Sequence, residues 1–63
     1  MEYPPQLNPV QAWLLGYIDT GALRDHTADS AALAATYGRA VTDEQYAMAL
    51  IADAQLIIED VVG

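Results

Sequence analysis

The 63-residue chain contains no cysteine, no lysine and no phenylalanine, and only one serine and one histidine. Without cysteine the chain can form neither a disulfide bond nor a thiolate metal site. Its only strongly basic residues are Arg24 and Arg39. Because nucleic-acid affinity depends on cationic side chains that neutralise phosphates, we expect no direct binding of DNA or RNA.

Nine acidic residues give a net charge of −7, yet only 17% of the residues are charged and 54% are hydrophobic. This apolar content favours a folded chain over a disordered one. No segment reaches the 18 apolar residues of a membrane-spanning helix, and the acidic balance disfavours anionic membrane surfaces. The first residues lack the basic segment of a secretory signal, so a cytoplasmic location is expected.

The size of the chain indicates self-association. A domain of about 60 residues buries only ~60% of the surface that its unfolded chain exposes. Small scaffolds compensate with disulfides, metals or partner subunits. Cysteine is absent and metal ligands are sparse, so we expect a second copy of the chain to complete the fold.

The pattern of caps and apolar residues predicts an all-α fold. We expect a small bundle of three helices, over residues 9–19, 28–37 and 43–61, completed by dimerisation. An extended N-terminal arm over residues 1–8 precedes the single helical domain, which covers residues 9–63. The sequence leaves open whether residues 20–28 form a short helix or a loop.

The first predicted helix has clear boundary signals. Asn8 is a suitable N-cap, Pro9 suits the first helical position, and Gln11 completes a capping box. Gly21 can adopt the left-handed conformation that ends a helix. Gly16 lies inside this helix and costs up to ~1 kcal/mol there, which suggests close approach of another backbone.

The other two predicted helices are bounded in the same way. Gly38 is expected to end the second helix. Thr42 and Gln45 predict a capping box for the third helix, with acidic residues following at the positive end of its dipole.

Helical spacing also predicts the core and a second contact surface. Met48 and Leu56 are large apolar residues on the otherwise polar side of the third helix. Glu59 and Asp60 lie near its C-terminal end, where negative charge opposes the helix dipole unless a cation offsets it. These four residues form the candidate interaction surface. The predicted core residues are Val10, Trp13, Leu14, Tyr17, Ile18, Leu33, Tyr37, Tyr46, Leu50, Ala54, Ile57 and Val61.

Catalytic and metal-binding interpretations find little support. Asp25, His26 and Asp29 do not have the spacing of a known zinc signature. A triad of Ser30, His26 and Asp25 would need a sharp turn that nothing in the sequence demands. We therefore expect no enzyme activity and no cofactor.

Two functions remain for the chain. The first is a small acidic helical module for protein–protein interaction, with itself as partner in a homodimer. The alternative is an acidic inhibitor or adaptor, of a phage anti-defence, antitoxin-like or nucleic-acid-mimic type, that binds a basic surface of a partner protein.

Overall fold

The computed structural model describes residues 3–28 and 31–62. The described residues form four helices, namely α1 (Pro9–Leu14), α2 (Thr20–Ala28), α3 (Ala31–Thr42) and α4 (Glu44–Val62). The all-α prediction is confirmed, but the number of helices is four rather than three. Helix α1 contacts each of the other three helices, and α3 packs against both α2 and α4.

The segment before α1 differs from the predicted extended arm. The Leu7 N–H donates to the Pro4 carbonyl oxygen at 3.0 Å, which closes a turn. Pro5 occupies the second position of this turn, where its fixed φ is favourable. Leu7 is buried, and so is Ala12 on α1. These two residues hold the N′ and N4 positions on either side of the Asn8 cap, the positions at which a hydrophobic staple forms.

The start of α1 is as predicted and also connects to α4. The Gln11 N–H donates to Asn8 Oδ1 at 2.8 Å, and the Asn8 N–H donates to Gln11 Oε1 at 3.1 Å, which completes the capping box. The Gln11 side chain is buried, and its Nε2 donates to the Leu50 carbonyl oxygen of α4 at 3.4 Å. One buried amide therefore caps α1 and links it to α4.

Helix α1 ends near Gly16 rather than near Gly21. The N–H groups of Gly16 and Tyr17 donate to the carbonyls of Trp13 and Ala12, which is a Schellman motif. Gly16 has a φ of +81°, a conformation in which a Cβ is unfavourable. Nothing lies within 4 Å of a Cβ built on Gly16, so this glycine serves the turn and not the predicted close approach.

Residues 20–28 form α2, which settles the question that the sequence left open. Asp19, expected at the end of the first helix, caps this one, because its Oδ1 accepts from the Ala22 N–H at 2.7 Å. Gly21 lies within α2. The side chain of Leu23 is fully buried and belongs to the core.

Helix α3 continues through Gly38, so the prediction that Gly38 ends it is wrong. Ala40 follows within the helix and is buried. We attribute the continuation to this burial, which offsets the cost of about 1 kcal/mol for a glycine inside a helix. The Thr42 hydroxyl donates to the Gly38 carbonyl oxygen at 3.0 Å. Thr42 thus belongs to the last turn of α3.

The cap of α4 is Asp43 and not Thr42, which corrects the predicted capping box. Asp43 Oδ1 accepts from the Tyr46 N–H at 3.1 Å. Its Oδ2 lies 3.9 Å from Arg39 Nε, and the Arg39 guanidinium lies 4.0 Å from the centre of the Tyr46 ring. Asp43, the single residue between α3 and α4, therefore interacts with Arg39 of α3 and with Tyr46 of α4.

The core lies where α1, α2, α3 and α4 meet. Val10, Leu23 and Ala40 are buried at its centre, and the rings of Trp13 and Tyr37 pack edge to face around it with centroids 5.0 Å apart. The half-buried side chains packed against this centre are Trp13, Leu14, Ile18, Leu33, Tyr37, Tyr46, Ala47 and Leu50. Sequence periodicity did not select Leu7, Leu23 or Ala40, which lie outside the predicted helices or beyond their predicted ends.

The two glycines Gly16 and Gly38 give a matched test of the fold. A Cβ at either position meets nothing within 4 Å, so the substitutions differ only in backbone conformation. Gly16→Ala is expected to lower the free energy of unfolding by ~1–2 kcal/mol, because φ must stay positive. Gly38→Ala is expected to raise it by ~0.5–1 kcal/mol, because the residue lies inside a helix. Urea denaturation measures both, and equal effects of the two variants would contradict the assigned helix ends.

The cap of α4 is tested by a second pair of variants. Asp43→Ala removes the acceptor of the Tyr46 N–H and should cost ~1 kcal/mol of unfolding free energy. Thr42→Ala removes an exposed hydroxyl that donates to the Gly38 carbonyl oxygen of α3 and caps no N–H of α4. This substitution should cost under ~0.5 kcal/mol of unfolding free energy. Asp43→Asn serves as the control, since it retains a capping oxygen. A larger loss in Thr42→Ala than in Asp43→Ala in chemical denaturation would restore the boundary expected from the sequence.

Candidate interaction surface

An apolar row follows the outer side of α4, the side turned away from the core. Met48, Ala52 and Leu56 are four residues apart, so their side chains follow one another along one face of the helix. We call these three residues the outer stripe. Ala54, about 200° around the helix from Ala52, is fully buried, which places the outer stripe opposite the packed face.

The side chains of the outer stripe are strongly exposed. Met48 is 62% and Leu56 64% exposed, and Ala52 is exposed between them. Isolated exposed apolar residues are ordinary, but a contiguous row of them indicates a contact surface. Of the large apolar side chains exposed in the described ranges, α4 carries four and α3 one: Met48, Leu56, Val61, Val62 and Val41.

One acidic residue of α4, Glu59, continues the face of the outer stripe beyond Leu56, and Asp53 and Asp60 flank this face. Asp53, Glu59 and Asp60 are all exposed. Glu59 and Asp60 lie in the last turns of α4, where their charge adds to the negative end of the helix dipole. Arg39 forms a salt bridge with Asp43, at the opposite end of α4 from Glu59 and Asp60. Arg39 therefore contributes charge at the start of α4 and not at its end.

The C-terminal end of α4 extends past its neighbours, which corrects one predicted core residue. Val61 lies on the same helical face as Ala54 but is 46% exposed, and Val62 is 80% exposed. Helix α4 has 19 residues and is about 28 Å long, whereas α1 has six residues and is about 9 Å long. The packed face of α4 is therefore covered around Leu50 and Ala54 but not at its last turn. Tyr17 and Ile57, also predicted for the core, are half-buried.

Helix α3 offers a second exposed face made of small residues. Ala31, Ala34, Ala35 and Gly38 are exposed on it, and Val41 next to them is 58% exposed. This face has no large side chain that could insert into a partner, apart from Val41. The outer stripe of α4, with a thioether and an isobutyl group, offers more apolar surface to a partner.

The residues weighed for catalysis or metal binding are placed as follows. Asp25 and His26 are exposed neighbours on α2. Asp29 and Ser30 lie outside the described residues. In residues 3–28 and 31–62, no three side chains of the metal-ligating types come together as a group that could hold an ion.

The spacing of apolar residues singled out Met48 and Leu56, which are exposed, but not Ala52, which is exposed between them. The signal was present, because Ala52 is four residues from each of them. A ranking by hydrophobicity alone passes over Ala52, because its side chain is small. The size of such a residue nevertheless determines how closely two helices can approach.

No family model, no curated protein and no solved structure matches the chain. Within the described ranges, none of the four helices combines the length and the hydropathy needed to cross a membrane.

Proposed function

We propose that the protein is a small helical interaction module that associates with a second copy of itself and has no catalytic activity. The observation that carries the proposal is the exposure of Met48 and Leu56 on the side of α4 opposite its packed face. Full burial of a Met or Leu side chain contributes ~1.5–3 kcal/mol. A dimer that covers this pair in both copies gains four such contributions, each reduced by the part already buried.

Charge limits where two copies can meet. Each copy carries a net charge of −7, so contact between most parts of their surfaces opposes acids to acids. The three residues of the outer stripe are uncharged. Contact centred on this stripe therefore brings one acid of each copy, Glu59, onto the contacting face, and the remaining long-range repulsion is screened by salt.

The interface is expected to be weak. A standard interface covers about 800 Å² on each partner. This amounts to nearly a fifth of the 4224 Å² that one copy exposes. A single helix stripe supplies less than that area. Interfaces of such size belong to reversible complexes, so the dimer is expected to dissociate on dilution.

The second candidate function is an acidic adaptor or inhibitor that binds a basic surface. It is favoured by the exposed carboxylates Asp25, Asp53, Glu59 and Asp60. Complementary charge accelerates the encounter of such partners and selects among them. The two functions respond to salt in opposite ways: added salt strengthens the association of like-charged copies and weakens that of an acidic protein with a basic one.

The test is the mass in solution, measured by light scattering on a sizing column over a concentration series at low and high salt. The wild-type chain should reach the mass of a dimer with rising concentration, at lower concentration in high salt. Met48→Lys and Leu56→Lys should remain monomers with unchanged helix content, because both positions are exposed in the monomer.

Ala32→Lys is the matched control, since it adds the same charge at an exposed position of α3 and should dimerise like the wild-type chain. A wild-type chain that stays monomeric at every concentration would contradict the proposal. So would Lys variants of the stripe that dimerise as well as the control.

A further inference from the structure

We propose that the two copies pair α4 against α4 in antiparallel orientation, about a two-fold axis that passes beside Ala52. This inference rests on the proposed self-association and specifies its geometry. The outer stripe of one copy then contacts the outer stripe of the second copy. A two-fold interface requires this arrangement, because both subunits contribute the same surface.

The spacing of the stripe complements itself in this orientation. Met48 and Leu56 lie four residues, about 6 Å, on either side of Ala52. A two-fold axis beside Ala52 therefore places Met48 against Leu56 of the partner subunit, and Leu56 against the partner's Met48. Ala52 faces its own equivalent at the crossing point, where two small side chains let the helix axes approach to about 8 Å.

The charge of Glu59 on the same face favours the antiparallel orientation over the parallel one. Gln45 and Glu59 lie seven residues on either side of Ala52, on the same side of the helix. The antiparallel pair places Glu59 beside Gln45 of the partner subunit, whose amide can donate a hydrogen bond to the carboxylate. A parallel pair would place Glu59 against Glu59 of the partner subunit, and like charges at that distance repel each other.

The dipoles of the two helices favour the same orientation. Glu59 and Asp60 lie at the negative end of their own α4, where they are unfavourable. In the antiparallel pair this end lies beside the N-terminal end of the partner's α4, which carries the positive end of its dipole. The antiparallel pair thereby keeps the two negative helix ends apart, which a parallel pair would place side by side. Glu44 of the partner subunit lies at the positive end and reduces its attraction for Glu59 and Asp60.

Disulfide cross-linking tests this geometry, and the natural chain has no cysteine that could interfere. Single variants Met48→Cys, Ala52→Cys and Leu56→Cys are oxidised alone and as a mixture of the first and third. All three positions are exposed, so helix content should equal that of the wild-type chain. With helix axes about 8–10 Å apart and Cα atoms about 2.3 Å from each axis, facing Cα atoms lie about 3.4–5.4 Å apart at the crossing point and farther apart away from it, which overlaps the range of about 4.4–6.8 Å that a disulfide needs.

The antiparallel pair predicts two results. Ala52→Cys should cross-link to itself. In the mixture, the Met48→Cys product with Leu56→Cys should exceed either self-linked product by about tenfold, because the local concentration of the facing thiol is raised. Intact-mass spectrometry separates the three products, since methionine and leucine differ in mass.

Other products would overturn the geometry. Self-linked Met48→Cys and Leu56→Cys as the main products would show a parallel pair. Yields no higher than for Ala32→Cys, with a wild-type chain that still dimerises in light scattering, would place the interface elsewhere while the proposed self-association stands. A monomeric wild-type chain would remove both proposals.

Discussion

The side-chain amide of Gln11 ties together the start of α1 and the middle of α4. Its oxygen accepts from the Asn8 N–H and its nitrogen donates to the Leu50 carbonyl oxygen, 39 residues away in sequence. An amide as buried as this one is costly unless its polar atoms are bonded, and here both are. Together with the apolar contacts of Val10, Trp13 and Leu14, these bonds constrain how α1 lies on α4. A short helix placed this way contacts every other helix of the chain.

The packing of α1 and α3 on α4 determines which surface of α4 stays exposed. The packed face of α4 meets α1 and α3 and buries Ala54, so the outer stripe points away from the chain's own core. The Schellman turn at Gly16 stops α1 after six residues, and α2 then packs on α1 and α3. The same glycine therefore ends α1 and lets the chain turn toward α2.

The sequence predicted some elements well and others poorly, for identifiable reasons. Residues 43–61 are close to the observed Glu44–Val62, because a long amphipathic pattern outweighs an error in the capping residue. The roles of Gly16 and Gly38 were misjudged because a glycine ends a helix only where the chain turns left-handed, and composition does not show which glycine does so. Leu23 was missed because its segment shows little periodicity and its burial depends on tertiary contacts. Met48 and Leu56 could be singled out from spacing alone. Only the packed structure shows that Ala54 is buried on the side of α4 opposite the outer stripe.

The central claim is that copies of this chain meet through the outer stripe of α4. The most direct measurement is a dilution series followed by amide chemical shifts in nuclear magnetic resonance spectra, which reports on every residue at once. The account predicts concentration-dependent shifts at Met48, Ala52 and Leu56, with Leu23 and its neighbours on α2 unchanged. Shifts confined to α2 or α3, or spectra that do not change with concentration, would contradict it.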